Sequence, residues 1–317
     1  MKKLPIIFFI FSKKEVFCVF TVFLKETSTE PLLQVGSKAL HLANIFYEGV
    51  TIPDGFVLKA NALNQFMKDS NLHNEMSHEQ FAAAFQNAPI PQQIAQEILN
   101  AFQQLKTVTG DANLAVAVRS SSSAEDLQDA SFAGQYDTIL NVRDEQQLLD
   151  AVKQCWASVF SEHARDYATQ RNISLADFPM GILIQQMVYP DVAGVIFSKN
   201  PITESNDEII INASYGLGEA IVSGIVTPDT FIVNKQTKAI EKDLGLKEVK
   251  ILPVDNTIIE VATTAEECAM YCLDDASILA LEEVTAKLEA FYAFPVDVEF
   301  AVKDGKLYVL QSRPITA

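Results

Sequence analysis

Between Met180 and Gly216 the chain is cut into apolar runs of strand length, "GILIQQMV", "AGVIFSKN" and "DEIIINASYG", with turn-forming residues between them. Runs this short and this rich in Ile and Val read as strands rather than helices, so the second half must build a sheet. "TFIVNKQTKAI" reads as a hairpin, residues 264–292 as helical, and "VDVEFAVKDGKLYVLQSRP" (296–314) as a closing hairpin. The first half has another rhythm. "VGSKALHLANIF" carries apolar residues at helical spacing and predicts a helix from near Ser37. Residues 61–106 are mostly helical with a break at "APIPQQ", "LAVAVRSS" is a strand, and residues 144–168 predict one long helix. "GVTIPDGFVL" reads as a loop and short strand. Helices and strands mix without regular βαβ alternation, which predicts an α+β fold in two lobes meeting near residues 183–190.

The chain has 317 residues, enough for one two-lobed domain, and a net charge of −17. That balance argues against a nucleic-acid or anionic-membrane partner, since neither is held without a basic footprint. An anionic substrate would need a few placed cations and backbone dipoles. "MKKLPIIFFIF" has the basic start and apolar run of a secretory signal, but Lys13 and Lys14 follow at once and no small-residue cleavage site appears. The run is also too short to span a bilayer. Residues 1–18 are therefore expected to be an extension. Cys18, Cys155, Cys268 and Cys272 are too few for a disulfide framework, which fits a cytoplasmic protein. Cys268 and Cys272 lie four apart without a second Cys/His pair, so a metal site there is not expected. His41, His73, His78 and His163 read as structural or exposed.

The closing hairpin carries Asp297, Glu299, Gln311 and Arg313 in step. A two-residue turn at Asp304-Gly305 would leave Glu299 and Gln311 on opposite faces. A three-residue loop at Lys303-Asp304-Gly305 would instead set Asp297 across from Gln311, with Glu299 on the same face and Arg313 beyond. Val298, Phe300, Tyr308 and Leu310 would then fill the core, and Ala301 and Val309 would share the polar face, as in a cleft wall. Two readings fit such a face: open surface, or a site for a metal-bound polyphosphate. Carboxylate and amide oxygens suit Mg2+, and a guanidinium forks onto phosphate.

Other segments could complete that site. Lys38 follows Gly36-Ser37 at a predicted helix start, where unpaired N–H groups attract anions. A surface lysine is the plainer alternative. Arg119 ends an apolar strand and enters Ser120-Ser121-Ser122-Ser123. Gly134 allows close backbone approach, with Gln135 and Thr138 as polar contacts; a mobile surface loop is the alternative. "YGLGEAIVSG" with Gly216 and Gly218 is equally explained as a strand-to-helix turn.

Taken together, "VGSKALHLANI", "PDGFVL", "VRSSSSAEDLQDASFAGQYDTILNV", "CWASVFSEHARDY", "GVIFSKNPIT", "YGLGEAIVSGIVTPDTFIV" and "DVEFAVKDGKLYVLQSRPIT" resemble the ATP-binding domain of the phosphoenolpyruvate synthase and pyruvate phosphate dikinase family. Rifampicin phosphotransferases share this domain. The resemblance covers about residues 19–317 and implies an ATP-grasp fold. Residues 19–182 would form the first lobe and residues 183–317 the second. It implies that Lys38 and Arg119 bind phosphate, that Glu299 and Gln311 bind Mg2+, and that Asp297 and Arg313 are the flanking catalytic acid and arginine. Gln185, Gln186, Met187 and Val188 match the hinge that holds adenine; Ser120, Gly134, Gln135 and Thr138 would complete the ATP contacts.

The family's reaction passes the β-phosphoryl of ATP to a histidine on a swivelling domain, releasing AMP and phosphate. Gly36-Ser37-Lys38-Ala39 departs from the family's Gly-Gly-Lys-Gly or Gly-Gly-Lys-Ala and is stiffer. No glycine-rich Ser/Thr-His carrier segment occurs, and "EMSHEQ" around His78 does not replace one. The expectation is an ATP- and Mg2+-dependent phosphotransferase of the dikinase type that works with a carrier domain and a pyruvate-type acceptor domain outside these residues. An antibiotic phosphotransferase domain and a non-catalytic ATP-binding remnant are the alternatives.

Overall fold

The structure, a computed structural model, describes residues 20–72, 76, 78–123, 136–162, 164–166, 179–255 and 257–315. Strands β1 (Thr21–Phe23), β2 (Gly55–Leu58), β3 (Val116–Ser122), β4 (Thr138–Val142) and β5 (Met180–Gln186) pair in the order β1-β2-β5-β3-β4. Every pairing in this sheet is antiparallel. Strands β6 (Val192–Phe197), β7 (Glu208–Tyr215), β8 (Asp229–Asn234) and β9 (Ile240–Asp243) lead through a separate hairpin, β10 (Val249–Val254) and β11 (Thr257–Ala262), to β12 (Val296–Lys303) and β13 (Lys306–Pro314). The second antiparallel sheet has the order β13-β12-β6-β7-β8-β9.

The helices are α1 (Leu32–Tyr47), α2 (Ala60–Asp69), α3 (His78–Asn87), α4 (Gln92–Thr109), α5 (Glu145–Ser158), the short α6 (Glu219–Val222) and α7 (Ala265–Ala269), and α8 (Asp275–Tyr292). This is the α+β class that the irregular alternation predicts. Strand periodicity sorts the core. Phe56 and Leu58 of β2, with Ile182 and Ile184 of β5, pack against Phe66 of α2, Phe102 of α4 and Trp156 of α5. Val57 and Leu183, pointing the other way, pack in one cluster with Val35, Ala39, Leu42 and Ile45 of α1 and with Val298, Phe300 and Val309 of the second sheet. Helix α1 is thus part of the core that joins the two sheets. Each fully buried Leu or Ile there contributes about 1.5–3 kcal/mol.

Several expectations are corrected. The division at residues 182/183 falls inside β5, which stays in the first sheet through Gln186, so the crossover between sheets lies in residues 187–191. The 264–292 helix is interrupted: α7 ends at Ala269, and Asp274 caps a fresh helix by accepting from the Ser277 N–H. Cys268 and Cys272 therefore do not share a helix. The helix expected over 144–168 is interrupted: α5 ends at Ser158, residues 159–161 form a turn, and residues 162 and 164–166 are helical again. The β10–β11 hairpin and β1 carry too little alternation to be read from sequence alone.

Candidate active site

Helix α1 begins at Leu32, six residues before Lys38, and breaks at Gly36, whose φ of 76° and ψ of 166° are not helical. A Cβ at Gly36 would lie 2.0 Å from the Ser121 carbonyl oxygen, so only glycine fits this crossing of α1 over the end of β3. The restarted helix is stitched to the serine segment. Ser37 Oγ donates to the Ser122 carbonyl at 3.0 Å, and the Ala39 N–H donates to Ser121 Oγ at 3.1 Å. Lys38 Nζ donates to the Ser120 carbonyl at 2.8 Å. The predicted outward array of N–H groups is corrected accordingly: the Ala39 N–H is spent on Ser121.

The closing hairpin reaches its geometry by a route the residue spacing did not predict. Its turn is the two-residue Asp304-Gly305, with φ of 49° and 73°, and Lys303 pairs with Lys306. Such a turn suits the strand twist but leaves Glu299 and Gln311 out of step. An irregularity restores the phase: Phe300 pairs with Val309 and Glu299 with Gln311, so Leu310 is the extra residue of a β-bulge. Val309 consequently joins the core, whereas Tyr308 and Leu310, expected to be buried, are only partly so. Asp297 faces Arg313 rather than Gln311. Arg313 Nε and Nη2 both donate to Asp297 Oδ2, at 3.0 and 2.8 Å.

Arg119 from β3 enters the face so made. Its Nη1 donates to the Leu310 carbonyl, turned out by the bulge, at 2.8 Å and to Gln185 Oε1 at 3.2 Å. Its Nη2 donates to Gln311 Oε1 at 2.9 Å and Glu299 Oε2 at 3.2 Å. A carboxylate oxygen and an amide oxygen thus converge on one cationic nitrogen. That donor set suits a hard divalent cation, so the residues fit Mg2+.

A cavity of about 300 Å³ opens on these groups. Lys38, Arg119, Ser120, Thr138, Glu299, Gln311 and Arg313 line it together with Gln185, Gln186, Met187 and Val188, while Asp297 reaches it through Arg313. Ala117, Leu140, Met187 and Leu217 give it an apolar part. Gln185 is 2% exposed, and its Nε2 finds no hydrogen-bond partner among the described residues, an uncompensated donor that a bound polar group would satisfy. Gly134 and Gln135 lie outside the described residues.

Among the lining positions that sequence reasoning missed are His41, Leu217, Gly218 and Glu219. His41 stands one turn beyond Lys38 on α1 and its Nδ1 lies 3.0 Å from the Tyr292 hydroxyl. That i,i+3 spacing was the available signal, whereas nothing local separated "YGLGE" from an ordinary turn. Among the described residues no group of three or more His, Cys, Asp or Glu could hold a metal, and no helix is long and apolar enough to cross a membrane.

Residues 32–317 match the family model described as pyruvate phosphate dikinase, AMP/ATP-binding domain. The chain is 42% identical over 281 residues to an uncharacterized phosphotransferase, YvkC, of Bacillus subtilis, a match covering 89% of this chain and 33% of that protein. It is 34% identical over 336 residues to a probable phosphoenolpyruvate synthase of Methanothermobacter thermautotrophicus, covering 98% of this chain and 49% of the relative. A rifampicin phosphotransferase of Bacillus cereus is 32% identical over 311 residues, covering 94% of this chain and 36% of the relative. The chain therefore spans about a third to a half of the length of these curated relatives.

Proposed function

The chain belongs to the pyruvate phosphate dikinase AMP/ATP-binding domain family, and on that footing we propose that it binds ATP with Mg2+ in this cavity and starts a phosphotransfer of the phosphoenolpyruvate synthase type. The observation that carries the proposal is convergence. Lys38, Arg119 and the Glu299–Arg313 ribbon, separated by up to 275 residues of chain, line one cavity in a protein of net charge −17. Cations placed against so acidic a background have a specific anion to hold.

In this reading the two sheets are the lobes of an ATP-grasp fold and the base lies along Gln185, Gln186, Met187 and Val188, with Ala117, Leu140 and Leu217 packing on its faces. Ser120 and Thr138 contact the nucleotide where Lys38 and Arg119 hold its phosphates. Glu299 and Gln311 would hold Mg2+, which supplies charge neutralisation across the phosphates when bound. The residues' own work is positional. Lys38 holds a phosphate oxygen from the stitched helix start, and Asp297 aims the Arg313 guanidinium by accepting from both Nε and Nη2 on Oδ2. Arg119 exchanges its carboxylate and amide partners for phosphate oxygens, an exchange favoured by the stronger pairing of guanidinium with phosphate. Phosphoryl transfer asks for little beyond such positioning and charge stabilisation.

The acceptor in this proposal is a histidine of a carrier domain, which hands the phosphoryl on to a pyruvate-type substrate. Incubating the chain with a separately expressed carrier domain and ATP labelled in the β-phosphoryl should give labelled phosphohistidine and AMP. Carrier domains from a phosphoenolpyruvate synthase and from a rifampicin phosphotransferase, tried side by side, separate the two acceptor classes. ATP binding with no labelled carrier of either kind would overturn the transfer reading. Glu299→Gln should abolish the metal dependence of ATP binding, and an unchanged metal dependence would remove the metal assignment.

A further inference from the structure

Asn141 sits at the end of β4 with a left-handed backbone, φ 61°, which asparagine tolerates better than most residues. It is 3% exposed, and its side-chain amide uses all of its hydrogen-bonding capacity. Nδ2 donates to the Asp255 and Thr257 carbonyls, both at 3.0 Å. Oδ1 accepts from the Tyr189 hydroxyl and from Arg143 Nε, both at 3.1 Å. Arg143 Nη2 in turn donates to the Tyr189 hydroxyl at 2.9 Å, so the phenol accepts one bond and donates another.

These partners come from separate parts of the fold. Tyr189 lies in the crossover that also carries Met187, and Met187 is fixed by its N–H donating to the Ala115 carbonyl at 2.9 Å. Asp255 lies in the turn of the β10–β11 hairpin and Thr257 opens β11 just after it, and β10 presents the Ile251 carbonyl that accepts from the Leu217 N–H at 2.9 Å. Met187, Leu217 and Ile251 share one apolar cluster, against which Leu140 and Tyr189 pack. Two of the residues lining the apolar part of the cavity, Met187 and Leu217, are therefore each a few bonds from the same buried amide.

We propose that Asn141, through Tyr189 and the β10–β11 turn, is a positioning residue that sets the width of the base slot and with it the preference for adenine over guanine. The proposal rests on the reading that the base lies along Gln185–Val188. A slot held at fixed width forces a misfitting base to leave its own polar edge, or the wall's, unpaired; a loosened slot re-forms around either purine. Burial raises the pKa of the Tyr189 phenol, with Arg143 opposing, so the hydroxyl stays protonated as the donor the network needs.

The test is the ratio of ATP to GTP affinity, measured by calorimetry with Mg2+ present, alongside inorganic tripolyphosphate as a probe of the phosphate end. Tyr189→Phe removes only the hydroxyl, and Asn141→Gly keeps the left-handed backbone accessible. Both variants should lose about tenfold in the ATP:GTP ratio, as expected for losing buried hydrogen bonds of this kind, while tripolyphosphate affinity holds. If Asn141→Gly fails to fold, Tyr189→Phe decides alone. A wild-type preference that survives the substitutions, or a parallel loss for ATP, GTP and tripolyphosphate, overturns the positioning role and leaves the base reading intact. A wild-type chain that binds ATP and GTP equally overturns both.

Discussion

Nη2 of Arg119 lies 3.2 Å from Glu299 Oε2, and the pair is half-closed to solvent, the two side chains being 11% and 30% exposed. The same nitrogen serves Gln311 Oε1, so one guanidinium occupies the two oxygens proposed to hold Mg2+. A fixed cation and a diffusible one cannot both be satisfied there without rearrangement.

Replacing Arg119 by Met should therefore have opposite effects on metal and on transfer. Mn2+ binding without nucleotide, followed by paramagnetic resonance, should tighten by about tenfold or more once the competing guanidinium is gone. Phosphoryl transfer should fall by roughly 10²-fold or more, because a phosphate-directed cation is lost. Identical Mn2+ binding in wild type and variant would show that Arg119 does not compete for these oxygens.

Gly36→Ala tests the crossing of α1 over β3. The new methyl would meet the Ser121 carbonyl at 2.0 Å on a backbone with φ 76°, and neither the carbonyl nor the helix can yield alone. Strain of this kind costs on the order of 1–3 kcal/mol, and the clash adds to it. Urea unfolding should show a loss of at least that size, and ATP affinity should fall with it because Lys38 moves with the helix start.

Lys247 and Asp229 form an ion pair at 2.5 Å in which neither side chain is exposed. Asp229 also accepts from the Gly245 and Cys272 N–H groups, and Lys247 donates to the Gly245 carbonyl at 2.9 Å. Lys247→Met strands a buried carboxylate and should cost about 3–5 kcal/mol in urea unfolding. Adding Asp229→Asn should recover part of it, since the uncompensated charge is then gone. A single-variant cost below about 1 kcal/mol would contradict the buried pair.

Tyr215 predicts an alkaline limit. Burial, with the Asp229 carboxylate adding to it, pushes the phenol up to about 12. The unfolded phenol ionises near pH 10, so the folded chain holds the proton more tightly and its contribution is whole below that value. As pH rises from about 10 through 12, that contribution is lost. Urea midpoints at about pH 9 and pH 11.5 should fall further in wild type than in Tyr215→Phe, and equal falls would contradict the shift.

Much of the fold was legible locally. Strand-length runs such as "AGVIFSKN" and the helical spacing of "VGSKALHLANIF" depend on neighbours in sequence, where period acts directly. The resemblance carried Lys38, Arg119, Glu299 and Gln311 to the site, and the cavity gathers them. The hairpin's register resisted, because side chains alternate with a period of two and one extra residue inverts a face.

What the amino-acid order determined by itself was therefore the inventory: which segments become helix or strand, which residues carry charge, and that cations had to be few and placed. Tertiary structure alone decided that Leu310 bulges, that its freed carbonyl meets Arg119 from 191 positions away, and that Asn141 ties the crossover to a hairpin more than a hundred residues later. Such contacts are chosen by how two sheets and α1 pack at once, and the energy that selects them is shared among many buried side chains rather than written in any local stretch.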